Sequence, residues 1–302
     1  SGFTGGYSKQ DVRSASEADD EDFIGAQGTQ TRWYFNPNYS YNFSPTTTLR
    51  LRGGYTDVSY SESTISRFDY DNTTFSTTII KVINPRSSIA IQGSLSHYSA
   101  KQPRTRFKNT SDTDSIALVY QYSFSPALQA TLDIGWSNTE TSAKTPNGFG
   151  GFICSPNPLA TCTIDSDGSN FVGNFRLSRI TKLTSLSAGI SQSISPSSNG
   201  TEVVRTTYDS SFLYNISRKL EGNFRVRYYD QDDAGNLTRR KNSRFTINTG
   251  VRWKLSRHWS INVSYRYIDD EQQFGVLTQN EGTLKSQEGN LSITYSPQAW
   301  RN

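Results

Sequence analysis

No stretch of this chain approaches the ~20 consecutive apolar residues of a membrane-spanning helix, which excludes a helical membrane protein. Methionine is absent and no charged-then-apolar leader opens the sequence, so the numbering is expected to start on a processed or trimmed chain. Apolar residues make up 33% of the 302, low against the roughly 45–50% of a soluble domain, a benchmark that also counts Gly. So few aliphatics usually signals disorder, but disordered chains are also poor in aromatics. This one carries 17 Tyr, 16 Phe and 5 Trp. A polar, aromatic-rich chain must spend its apolar residues one face at a time, as a β-barrel with an apolar outside and a wet inside does. The net charge of +4 is too small, and the basic residues too scattered, to argue for nucleic acid.

Internal repetition organises what is present. FSPTTTLRLRGGY (43–55), INPRSSIAIQGSL (83–95), FSPALQATLDIGW (124–136), ISRKLEGNFRVRY (216–228) and LSRHWSINVSYRY (255–267) share one plan. Each reads apolar residue, Ser or Asn, Pro or Arg, a short linker, then strict alternation. Their starts lie 40, 41, 92 and 39 residues apart, and the long gap holds a weaker copy, ITKLTSLSAGISQ (180–192). The unit is therefore a hairpin whose strands have one apolar and one polar face. The tight turns all fall on one side of the repeat, and long polar connections fall on the other. A propeller repeats at ~40–45 residues too, but each unit here resolves into two strands of roughly 12–16 residues, which suits tilted membrane strands.

The expectation is an all-β fold, a closed transmembrane antiparallel up-and-down β-barrel filling residues 1–302 as one domain. About fourteen strands are expected, twelve to sixteen being possible, because the first strand (Phe3 to Arg13) and the region 62–75 are poorly patterned. Long loops then point outward, and both termini lie with the short turns in the periplasm of a Gram-negative outer membrane. The apolar parity carries an aromatic girdle that includes Trp33, Trp136, Trp253, Trp259, Tyr267 and Tyr295. The opposite parity, assigned to the pore lining, holds Arg50, Arg52, Arg176, Arg225, Arg227, Arg244, Arg252 and Arg266, with only Asp133, Asp209 and Glu221 as clear counter-charges. Two readings of these arginines stand: an internal ion-pair network filling a narrow barrel, or a cationic wall favouring anionic solutes. Inward Tyr34 and Tyr229 are either stacking surfaces for sugar rings or space fillers.

Cys154 and Cys162 share a Pro-, Ser- and Asn-rich segment, FICSPNPLATC, which reads as a disulfide pinning an outward loop in an oxidising compartment. A zinc site would need two more ligands, and no His lies near. Carboxylates gather at the long-loop ends, as a solvated rim or as ligands for divalent cations bridging lipopolysaccharide phosphates. The two histidines, His97 on an apolar parity and His258 in a tight turn, give no nucleophile–base–orienter pattern. No helix follows the Gly-Gly pairs, so they are not phosphate loops. No catalytic residue, metal or cofactor is expected.

The repeated F-S-P-x-T-x-L-x-L-x-x-x-Y unit resembles the β-barrel porin families of bacterial outer membranes, of the kind associated with exopolysaccharide export. That resemblance covers nearly the whole chain. It implies an outer-membrane channel whose contacts are the lipid bilayer and lipopolysaccharide, with a polysaccharide or anionic solute as cargo and periplasmic export proteins as partners. The alternative is a plugged scaffold barrel that binds partner proteins through its loops or periplasmic face.

Overall fold

In a computed structural model the described residues are 2–11, 29–61, 68–102, 107–146, 161–196, 202–233, 241–273 and 281–295. They form fourteen strands: β1 (Gly2–Asp11), β2 (Thr29–Ser44), β3 (Thr47–Tyr60), β4 (Asp69–Asn84), β5 (Ser87–Gln102), β6 (Phe107–Ser125), β7 (Leu128–Pro146), β8 (Thr161–Ile180), β9 (Thr184–Pro196), β10 (Glu202–Asn215), β11 (Leu220–Asp233), β12 (Lys241–Lys254), β13 (Trp259–Gln273) and β14 (Glu281–Tyr295). Each strand pairs antiparallel with the next, in sequence order, as an up-and-down barrel wall. Among the described residues no pairing joins β14 back to β1, so the closed seam expected from the sequence is not among the observed ladders.

The repeated Ser or Asn has a specific task at the tight turns. Its side-chain oxygen accepts a hydrogen bond from the backbone N–H two residues on: Ser44 from Thr46, Asn84 from Arg86, Ser125 from Ala127, Ser217 from Lys219 and Ser256 from His258. Thr181 takes the same place in the weak copy, accepting from Leu183 and Thr184. These side chains mimic a backbone turn and fix where each hairpin reverses. Three of the turns carry a register shift just before them, at Asn42/Ser44, Val82/Asn84 and Ser123/Ser125. The repeat is thus a repeat of turn chemistry, and the meander places all six turns at one end of the wall.

Alternation assigns the two faces. Phe35, Tyr39, Tyr41 and Phe43 of β2 are exposed on the outer face, and Ile116, Ile134, Leu291 and Ile293 continue that face around the wall. Trp33 and Phe43 stand ten residues apart on β2. At ~3.4 Å per residue and a tilt of about 40° that spacing spans roughly 26 Å of height, close to the ~25 Å apolar band of a membrane barrel. Trp253, Trp259 and Tyr295 lie toward the turn end; Trp33, Trp136 and Tyr267 lie further up the wall. Trp33 packs on Tyr7 and Trp259 on Tyr295, with ring centroids 4.5 and 4.8 Å apart.

Candidate functional site: the barrel interior

The inner face changes character along the barrel axis. At the long-connection end it is packed. Val58, Tyr60, Tyr70, Tyr98 and Ala100 form one buried cluster on β3–β5. Asn109, Ser111, Thr139 and Thr141 form a buried polar layer on β6 and β7. On β10–β13, Tyr229 is only 1% exposed, with the guanidinium groups of Arg205 and Arg244 at 4.8 and 5.7 Å from its ring centre. Tyr229 is therefore a filled position and offers no stacking surface to a solute. Tyr34, by contrast, is exposed and lies in register with Gly6, where its ring occupies the space a side chain on β1 would need.

A side-chain contact crosses the interior between β10 and β6. Glu202, buried at the start of β10, accepts hydrogen bonds from Ser111 Oγ at 2.7 Å and Thr113 Oγ1 at 2.6 Å on β6. Four strand spacings separate β6 from β10 along the sheet, about 19 Å at ~4.8 Å each, so the wall is pinched here. The pairing of β8 shows how. Only Gly173–Ile180 of β8 pairs with β9, while the end of β9 continues along β10. The β9–β10 tip thus leaves β8 and leans inward onto β6. Below it a cavity of about 420 Å³ is lined by residues from β4 to β10, including Asn72, Ser94, Thr113, Asp133, Asn174 and Glu202.

The eight sequence-assigned arginines share the polar parity of their strands, and seven of them divide by height; Arg176, four residues from the turn end of β8 and yet paired, is the exception. Arg244 donates to Asp270 at 2.8 Å, with side chains 9% and 2% exposed. Arg266 donates to Asn248 at 3.0 Å. Arg176 donates to Asp209 at 2.8 Å and to Ser187 at 3.1 Å. Arg227 is half-buried with contacts of its own. Arg50, Arg52, Arg225 and Arg252, all within six residues of the turn end, are exposed. None of these four makes a side-chain hydrogen bond or ion pair with another described residue. Arg50 and Arg52 line a cavity of about 610 Å³ with Thr4, Asn36, Asn38, Ser40, Thr74 and Ser76. Its hydrogen-bonding set is guanidinium, amide and hydroxyl, with no carboxylate.

Asp270, Arg32 and Arg205 are inward residues absent from the sequence-assigned set. Asp270 sits four residues after Arg266 on the same face of β13, and Arg205 four before Asp209 on β10, so alternation could have found both. Glu202 could not be found that way. It lies at odd spacing from inward Asp209 and reaches the interior only because the β9–β10 tip bends.

His97 faces outward, its Nδ1 2.7 Å from Asp112 Oδ1, with both side chains well exposed. Across the β6–β7 and β7–β8 ladders Asp112, Glu140 and Asp167 stand in direct register, an outward belt of carboxylates above the aromatic face. Among the described residues no three His, Cys, Asp or Glu side chains converge as a metal site. Cys162 is buried at the start of β8; Cys154 lies outside the described residues. So do most of the long connections, among them the acidic segment 19–22.

Comparison with protein families finds no matching family, and comparison with curated proteins finds no matching sequence. Solved structures do match. The siderophore receptor PiuA of Acinetobacter baumannii is 11% identical with a TM-score of 0.54, covering 89% of this chain and 53% of that one. The ferric citrate transporter FecA is 11% identical at 0.56, covering 89% and 47%. The alcaligin outer-membrane receptor FauA of Bordetella pertussis is 13% identical at 0.53, covering 91% and 52%. The chain spans about half the length of these proteins. At such identities the likeness establishes the fold, that of an outer-membrane β-barrel.

Proposed function

We propose that this chain is an outer-membrane transport barrel that passes polar or anionic solutes, and that it serves as the outer-membrane element of an exopolysaccharide-export system. The observation that carries the reading is the division of the inward arginines. Arg244 and Arg266 toward the packed end are partnered by Asp270 and Asn248, and Arg176 near the turn end by Asp209, whereas four turn-end arginines, Arg50, Arg52, Arg225 and Arg252, are not. Unpartnered guanidinium groups along a narrow aqueous bore lower the energy of anions, because limited water screens them weakly. They also offer bidentate hydrogen bonds to the carboxylates of acidic sugars. The 610 Å³ recess at Arg50 and Arg52 is of a size that takes a sugar unit.

In this reading the turn end faces the periplasm, where export partners dock, and the ends of β1 and β14 near Gly2 and Tyr295 lie on that side. The outward carboxylates around Asp112 and Glu140 stand at the level of lipopolysaccharide. The Glu202 bridge to Ser111 and Thr113 is the constriction that sets the bore. That same bridge supports a second reading, a plugged scaffold barrel whose role is to bind partner proteins. Reconstitution into planar bilayers separates the two: stepwise conductance supports the channel, and its absence in correctly folded protein supports the scaffold.

A further inference from the structure

The turn between β12 and β13 borders a second basic recess, distinct from the one at Arg50 and Arg52. Arg252 and Lys254 end β12 on its inward face, and Arg257 and His258 follow in the turn. With Ser256, Ser260, Asn262, Ser292, Thr294 and Trp259 they line a cavity of about 340 Å³. No carboxylate is in that lining. Glu221 stands in register with Arg252 across the β11–β12 ladder but forms no ion pair with it. The side chains of Arg252, Lys254 and Arg257 make no hydrogen bond or ion pair with any described residue. Three permanent cations around one small recess repel one another, a cost that a bound anion removes.

We propose that this recess binds a phosphate monoester group. Three cations exceed what one carboxylate neutralises, whereas a phosphate monoester carries about −1.5 to −2 at neutral pH and three acceptor oxygens. Two guanidinium forks grip such oxygens in pairs, and Lys254 adds a compact point charge. The hydroxyls of Ser260, Ser292 and Thr294 supply further donors around the group. The volume lies at the small end of small-molecule sites, which fits one sugar phosphate or one lipid headgroup and excludes a polymer segment. Trp259 places the recess at the level of the aromatic girdle, where headgroup phosphates also lie. The inference stands on the charges and hydroxyls of this rim and does not depend on conduction, so either can fail without the other.

The test is calorimetric titration of the purified chain in zwitterionic detergent with glucose 6-phosphate, with glucose as the neutral control. The phosphate ester binds and glucose does not. The triple variant R252Q/K254Q/R257Q loses at least tenfold in affinity, K254R retains it, and R86Q, in a different turn, is unchanged. Circular dichroism and the heat-dependent gel shift report folding of each variant. Should the triple variant not fold, the single glutamine variants are read the same way. Repeating the titration in nanodiscs identifies the natural source. Weaker ester affinity with phosphatidic acid, itself a phosphate monoester, than with phosphatidylcholine alone means lipid phosphate occupies the recess, and equal affinity means a soluble ester does. Failure of the ester to bind in detergent, or undiminished affinity in the folded glutamine variants, overturns the proposal.

Discussion

Arg244 donates to Asp270 at 2.8 Å inside the packed end of the barrel. Eight residues along the same face of β12, Arg252 is exposed and forms no ion pair. Identical side chains on one strand thus do two jobs, and on β12 their height along the strand separates them. Near the long connections, ring packing excludes water, so the buried guanidinium of Arg244 demands a counter-charge, which Asp270 supplies. Near the turns, the interior stays open and the charge faces solvent.

The buried pair predicts a strong asymmetry between single and double substitution. D270N neutralises the carboxylate that buried Arg244 donates to and is expected to cost about 3–5 kcal/mol, whereas replacing both residues with apolar ones of similar volume costs far less. Urea unfolding in detergent, followed by tryptophan fluorescence, measures the difference. Equal destabilisation by the single and double variants would contradict the account of this pair.

Glu202 is expected to act on the bore. E202A removes the acceptor of both Ser111 and Thr113 and frees the β9–β10 tip from β6. Single-channel conductance should rise, with little change in the melting of the wall, because the ladders of β6 and β10 do not depend on that side chain. A conductance identical to the parent would place the constriction elsewhere.

The proposed Cys154–Cys162 disulfide closes a short loop, for which the chain-entropy model gives only about 2–3 kcal/mol. Reduction is expected to change local protease sensitivity while the barrel keeps its heat-dependent gel shift. Full labelling of the intact, unreduced protein by a thiol reagent would show that the bond is not there.

Most of the wall was readable from the sequence because each strand obeys one local rule, apolar outside and polar inside. The Ser and Asn of the repeated motif act within their own turns, so their pattern survived in the sequence too. The strand number follows from the same alternation, as does the polar parity that the eight arginines share. What alternation cannot carry is who partners whom across the interior. Glu202 meets Ser111 and Thr113 from 91 and 89 residues away, through a bend in the β9–β10 tip that no two-residue period encodes. Asp270 differs: it shares its face with Arg266 at a spacing of four, so its role as counter-charge was within reach of the same rule. The filled state of Tyr229 depends on Arg205 and Arg244 arriving from the two neighbouring strands, which is a property of packing.

The central claim, a cationic turn-side interior that favours anions, is tested most directly by the reversal potential of the reconstituted barrel in a KCl gradient. The account predicts a potential of the sign set by chloride, moving toward zero in the variant R50Q/R52Q/R225Q/R252Q. A potential of the sign set by potassium, unmoved by those four substitutions, would contradict it.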